Sequence, residues 1–341
     1  MLNTLTYTRF LSIVITTKKV VVIGCGEIGS RHLQGLAGIR QNLEIDVVEP
    51  RNSARDLGLR RYKEAKERNT DFEMLCRWHA KTEEVINNKS DLVIVATDAA
   101  SRSETVKSLV SKENHRFFLL EKPVCQSEGD YNYLLNAFKL ASCKAWVNTI
   151  RRYNAFYRHC AHIKKQGRCS LEVSGKHFGL GSNAIHFLDL FRMITGMHDY
   201  VFKSAEFERK IYPSKRGGSF IEVQGCISGT DKAGNTFRIS SLASEPEGMI
   251  VKISSTDSEV VVDEVNCSVQ ITEDDKLRKQ PFQELMVSKS TTAICADILN
   301  TGDCLLPSLE SLSGFHMELF RLLREHLEQT TGLRYDQVPI T

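Results

Sequence analysis

The feature that most constrains this chain is Val20-Val21-Val22-Ile23 running straight into Gly24-Cys25-Gly26-Glu27-Ile28-Gly29. Four β-branched apolar residues in a row read as a strand buried on both faces, the habit of a parallel sheet. The glycine run that follows reads as a tight turn into a helix. Gly24 makes the turn, Gly26 leaves the backbone bare, and Gly29 lets the helix close on the strand. Backbone N–H groups and the positive end of the helix dipole then meet at one point, a seat for a pyrophosphate. Alone, the glycine pattern is weak. Here a second apolar run, Leu43 to Val48, ends on Glu49, twenty positions after Gly29. An acid there can accept hydrogen bonds from a ribose diol. Strand, turn, helix, strand and acid stand in register for a dinucleotide.

At 341 residues the chain has room for roughly two domains of ~150 residues. Charge is balanced, with 45 basic and 42 acidic residues, which argues against a nucleic-acid footprint. Ten cysteines without a C-x-x-C pair read as reduced thiols of a cytoplasmic protein rather than a disulfide framework or zinc site. His159 and His162 have helical spacing but no evident third ligand, so no metal is expected. No apolar stretch approaches the ~18 residues of a membrane span. Residues 1–16 read as a loosely held extension ahead of the first strand.

Strand and helix alternate through residues 17–148, with helices at 52–67, 103–111 and 128–141 and further strands at 91–97, 117–120 and 145–148. Continuous apolar strands joined by helices imply a doubly wound parallel sheet. The rhythm then changes. Over residues 149–341 helices are expected at 155–165, 183–195 and 311–327. Strands at 170–177, 204–212, 220–228, 236–243, 249–254 and 259–262 suggest an α+β domain with a mostly antiparallel sheet.

Active sites of open α/β sheets lie beyond the carboxyl ends of the strands. Three such ends stand out: Gly24 to Gly29, Thr97-Asp98 and Glu121-Lys122-Pro123. Desolvation and a neighbouring cationic nicotinamide would lower the pKa of Lys122, making proton exchange with a substrate hydroxyl feasible. The second group is Ser182, Asn183, His186 and Asp189, spaced to share one helix face. Histidine titrates where a proton shuttle must. Ser182 or Asn183 could equally be the helix N-cap.

With these residues in view, the chain resembles the glucose–fructose oxidoreductase / inositol dehydrogenase (Gfo/Idh/MocA) family from Lys18 onward. The carrying segments are Gly24 to His32, Val93 to Thr97, Glu121-Lys122-Pro123, Asn148 to Tyr153, and Ile185 to Leu190. The resemblance implies a Rossmann domain, then a domain with a large open sheet through which homodimers or homotetramers form. It implies a NAD(P)-dependent oxidoreductase moving hydride between nicotinamide and a secondary alcohol or ketone of a sugar, nucleotide-linked or acidic, in a surface-saccharide subgroup. Lys122 and His186 would serve the reacting oxygen; Asn183, Arg152, Asp189 and Ser182 would hold substrate. The cofactor set would be Gly24, Gly26, Glu27, Ile28, Gly29, Glu49, Arg51, Thr97, Asp98, Glu121 and Lys122. Glu49 favours NAD, while Arg51 could admit NADP. Many members carry an aspartate where this chain has Ser182, and a serine cannot act as that carboxylate. Arg102, where members often have histidine, hints at an anionic substrate. The rival readings are an S-adenosylmethionine-dependent methyltransferase and a non-catalytic nucleotide-binding sensor.

Overall fold

The computed structural model of the chain describes residues 16–161 and 167–341. Most of the expected N-terminal extension, His162 and the end of the helix expected at 155–165 fall outside the described residues.

The first sheet contains β1 (Lys18–Ile23), β2 (Leu43–Val48), β3 (Met74–His79), β4 (Ser90–Val95), β5 (His115–Leu120) and β6 (Lys144–Val147). All pairs are parallel, in the order β3-β2-β1-β4-β5-β6, the doubly wound arrangement. The order reverses between β1 and β4, and the crevice where ligands bind such sheets opens there. The apolar runs explain why both faces are covered. Val20, Val22, Ile45, Val47, Leu92 and Ile94 belong to one core; Val21, Ile23, Val93, Val95, Phe118 and Leu120 belong to the other. The first face is covered by α1 (Glu27–Leu36) and α2 (Asn52–Lys66), the second by α3 (Ala99–Val110) and α4 (Glu128–Leu140).

A 3-10 turn at Ile150–Tyr153 and the short α5 (Ala155–Cys160) lead to a second sheet. It contains β7 (Ser170–Gly175), β8 (Tyr200–Pro213), β9 (Ile221–Asp231), β10 (Thr236–Ser241), β11 (Ile250–Ser254), β12 (Ser258–Asp263), β13 (Ser268–Glu273) and β14 (Lys276–Pro281). The order is β14-β13-β12-β11-β7-β10-β9-β8, antiparallel except for β7 beside β10. α6 (Leu180–Thr195) packs on it, and α8 (Ser313–Thr331) follows later.

Besides β3, three elements were not expected from sequence. β13 and β14 form a hairpin whose outer strand, Lys-Leu-Arg-Lys-Gln-Pro, is exposed throughout. Basic residues and a terminal proline suit an edge that must not pair further, and they give the strand the look of a loop. Its turn residues Asp274 and Asp275 both have positive φ, as a two-residue hairpin turn requires. The third element is α7 (Val287–Thr301). Its buried Thr291, Ile294, Cys295, Ile298 and Leu299 follow helical spacing, and the last four belong to the core of the first sheet. Thus a helix from the second half of the chain completes the first half.

α7 meets α1 at Gly35, with no room to spare. A Cβ on Gly35 would lie 2.5 Å from the Ser288 carbonyl oxygen and 2.7 Å from Thr291 Cβ, and Thr292 Oγ1 donates to Gly35 O (2.7 Å). At the other seam the last residues are stitched between the lobes. Val338 N–H donates to Gln126 O and Ile221 N–H to Pro339 O, each 2.8 Å; Gln126 Nε2 donates to Ile340 O (2.8 Å), and Ala99 N–H to Thr341 Oγ1 (3.0 Å).

Gly35→Val should force α7 off α1. The expected loss is about 1–3 kcal/mol of stability, read as a lowered thermal midpoint, whereas Gly332→Ala, where a Cβ meets nothing within 4 Å, carries only the positive-φ penalty of about 1 kcal/mol.

Candidate active site

The turn after β1 has the shape its glycines suggest. Gly24 has φ +83°, and a Cβ on Gly29 would sit 1.9 Å from Gly24 O. Gly26 precedes α1 without any side-chain cap, so the N–H groups of Glu27, Ile28 and Gly29 have no acceptor within the helix. Glu49 is buried at the end of β2. Its Oε2 accepts from the Cys25 N–H (2.9 Å), and its Oε1 from Arg51 N (3.1 Å) and Nε (2.9 Å). Burial pushes the Glu49 carboxyl up, but the hydrogen bonds from Arg51 and Cys25 outweigh it and hold it below its ordinary value. The Arg51 side chain, 67% exposed, folds back so that Nη2 would stand 3.3 Å from a Cβ on Gly26. A bare turn, free N–H groups and an acid at the second strand end fit a dinucleotide. The guanidinium beside them is paired with Glu49. Asp98 caps α3 by accepting from Ser101 N (2.9 Å).

The end of β5 is locked from beneath. Arg102 is 1% exposed. Its guanidinium donates to the carbonyls of Thr97, Glu121 and Pro123, so it braces backbone and does not meet an anionic substrate, as position 102 had suggested. The Glu121 carboxylate likewise turns inward. Its Oε1 accepts from His32 Nε2 (2.8 Å) and Asn148 Nδ2 (2.5 Å), and His32 Nδ1 lies 2.8 Å from Thr291 Oγ1 on α7. Burial alone would raise the Glu121 pKa; His32, Asn148 and Arg102 reverse this and bring it to about 2.

Above that brace Lys122 crosses to α6. Nζ donates to Ser182 O (3.0 Å) and Asn183 Oδ1 (2.7 Å). Burial draws its pKa down from 10.5 to about 8, against the opposing pull of Glu121. α6 begins at Leu180 after Gly179, which adopts a left-handed conformation, so neither Ser182 nor Asn183 is the cap. Ser182 N and Oγ instead donate to Glu222 of β9. Lys122, Ser182, Asn183 and Glu222 line a cavity of about 420 Å³, with Lys215, Arg216 and His177 around it. Asn183 also lines a second cavity of about 400 Å³ holding His186, Arg151 and Glu264. The two hollows therefore adjoin at Asn183, with Lys122 lining one and His186 the other. The His186 pKa lies well below its ordinary value, first through burial and then through the charges of Lys122 and Arg151. This keeps the imidazole neutral at neutral pH.

Asp189 and Arg152 do not join this group. Asp189, 1% exposed, accepts from Arg152 Nε (2.8 Å) and Nη2 (2.7 Å) and from Thr149 Oγ1 (2.6 Å). This ion pair ties the turn after β6 to α6. The arginine at the cavity is its neighbour Arg151, held by both oxygens of Glu264 (2.8 and 2.6 Å) and lying 4.1 Å over the Phe187 ring. Sequence reading missed Arg151, Glu264 and Glu222. Only the Arg-Arg pair carried a signal, and it did not say which arginine turned inward. A larger hollow of about 670 Å³ includes Lys144 at the amino end of β6, the wrong end of a parallel sheet for chemistry. Among the described residues no cluster of three or more His, Cys, Asp or Glu suits a metal, and no helix is long and apolar enough to cross a membrane.

The buried Glu121 makes a pH prediction. Its folded pKa lies below its ordinary 4.5, so its stabilisation is complete above that value and is lost as pH falls through about 2. The separation corresponds to about 3 kcal/mol. Glu121→Gln should melt well below the parent at pH 7, and the gap should close between pH 5 and 2 in a calorimetric series.

Residues 18–149 match the family model described as the oxidoreductase family GFO_IDH_MocA, NAD-binding Rossmann fold. No curated protein matches the sequence. Solved structures superpose over nearly the whole chain. An oxidoreductase from Agrobacterium radiobacter in complex with NAD+, L-tartaric acid and magnesium gives a TM-score of 0.70 at 15% identity, covering 93% of this chain and 98% of its own. UDP-N-acetylglucosamine 3-dehydrogenase from Acidithiobacillus ferrooxidans gives 0.68 at 14%, covering 92% and 99%. Levoglucosan dehydrogenase in complex with NADH gives 0.70 at 13%, covering 96% and 100%. At these identities the likeness is one of fold. Turn, strand order and family match agree, and residues 18–149 belong to the Gfo/Idh/MocA oxidoreductases as their NAD-binding Rossmann domain.

Proposed function

We propose that the chain is an NAD-dependent dehydrogenase or reductase acting on a secondary alcohol or ketone of a sugar derivative. The observation that carries this is the meeting of Lys122, from the cofactor-side strand end, with the polar face of α6 in one cavity. Gly24, Gly26 and Gly29 with the first-turn N–H groups would hold the pyrophosphate, and Glu49 with Arg51 the adenosine end. Bound NAD supplies the hydride acceptor.

Lys122 handles the proton. With a pKa of about 8 it is mostly an ammonium at neutral pH, able to protonate an alkoxide during ketone reduction. Above that pH it is an amine, able to take the proton of an alcohol. Neutral His186 offers a hydrogen bond to the same oxygen without competing for the proton. Asn183 fixes the Lys122 amine. Lys215 and Arg216 border the cavity, and the charge of Arg216 is felt at Lys122, which favours an acidic or nucleotide-linked sugar. The outer face of the second sheet is the surface through which copies of the chain would associate.

NADH fluorescence titration should show saturable binding, and a panel of nucleotide sugars and sugar acids should contain a substrate. Lys122→Ala should lose on the order of 10²–10⁴ in turnover with NADH affinity unchanged; full turnover in that variant refutes its role. In the parent, alcohol oxidation should rise and ketone reduction fall as pH passes about 8. Binding without turnover on any substrate would favour the sensor reading. Thermal stabilisation by S-adenosylmethionine but not NADH would favour the methyltransferase.

A further inference from the structure

Among the described residues lining the cavity beside Lys122, the one carboxylate side chain comes from the second sheet. Glu222 reaches from β9 to the first turn of α6, where the Ser182 N–H and hydroxyl both donate to it. Room for its head has been left by two glycines. A Cβ on Gly179 would stand 2.8 Å from the carboxyl carbon, and one on Gly181 3.4 Å from Oε2. Ser182 is thus shared. Its carbonyl holds the Lys122 ammonium (3.0 Å), while its N–H and hydroxyl hold Glu222.

We propose that Glu222 is a positioning residue for Lys122: it fixes the Ser182 turn that receives the amine, and its negative charge favours the ammonium. The inference rests on the reading of Lys122 as the proton-handling group. Opposite charges raise one pKa and lower the other, and the two residues have these mutual effects, while burial pushes the Glu222 carboxyl up. Lys122 is also faced by Glu121 on its own segment, by Arg216 from the loop after β8, by Arg151 from the turn after β6, and by His186 of α6. Glu121 is tied to His32 and Asn148, and Arg151 to Glu264. Glu222, held by the same residue that holds Lys122, is the carboxylate built to follow it.

The test reads the amine itself and needs no substrate. Acetic anhydride labelling of the full chain from pH 6 to 10, with mass spectrometry of the peptide bearing Lys122, should give a midpoint near about 8 in the parent. Glu222→Gln removes charge but not shape and should lower it by about one pH unit. Glu222→Asp, which keeps the charge, should restore most of that shift. An unchanged midpoint in Glu222→Gln overturns the proposal. Should that variant fail to fold, the 13C resonance of the Glu222 carboxyl in the parent must show an inflection at the Lys122 titration that Lys122→Met lacks, and its absence is equally fatal. NADH titration of the same samples separates the two ideas. A midpoint shift without NADH binding sinks the dehydrogenase reading and leaves the coupling standing.

Discussion

Everything at the crevice depends on the Arg102 guanidinium. It is buried beneath the strand ends and donates to carbonyls of Thr97, Glu121 and Pro123. Burial lowers its pKa only to about 10, so it remains charged at neutral pH. Strand ends are where a sheet runs out of ladder partners, and unsatisfied buried carbonyls are costly. One side chain from the next helix satisfies three of them and so joins β4 to β5 beyond the last ladder bond. Lys122 leaves the chain between two of the gripped carbonyls. Its launching point is therefore fixed by backbone that Arg102 grips on either side.

The same ends are tied to the rest of the molecule by side chains from remote segments. Glu121 reaches His32 on α1, His32 meets Thr291 on α7, and Asn148 closes the set from β6. This polar network crosses one edge of the crevice, while the tail from Val338 to Thr341 crosses another. Two sheets that share no strand are thus held in one relation, and Lys122 can bond to α6 across the gap. The electrostatics follow. Lys122 is drawn down and His186 is kept neutral, both mainly by burial.

Legibility differed between residues for physical reasons. The βα rhythm through Val147 and the seat at Gly24 to Gly29 could be read because their patterns are contiguous and their strands are apolar on both faces. β14 could not, since an edge strand exposed throughout needs no apolar residue. α7 had readable spacing at Thr291, Ile294, Cys295, Ile298 and Leu299, but serines and threonines in its first turns hid it among loops. Arg151 and Arg152 show the sharper limit. Neighbours in a 3-10 turn point about 120° apart, so one meets Glu264 at the cavity and the other meets Asp189 in the interior. Choosing between them needs the direction of the turn, which depends on how α6 and β12 pack against it.

The sequence by itself determined the parallel sheet, the dinucleotide turn with Glu49, the lysine at the end of β5 and the histidine on α6. These follow from residues near one another in the chain, where covalent geometry fixes their relation. Tertiary structure alone decided what those groups face. It brought Glu222 to Ser182 across forty positions and Arg151 to Glu264 across more than a hundred. It also turned Arg102 and Asp189 inward, away from any ligand. Buried charges take the partner that satisfies them best in the packed interior, and sequence spacing carries no record of that choice.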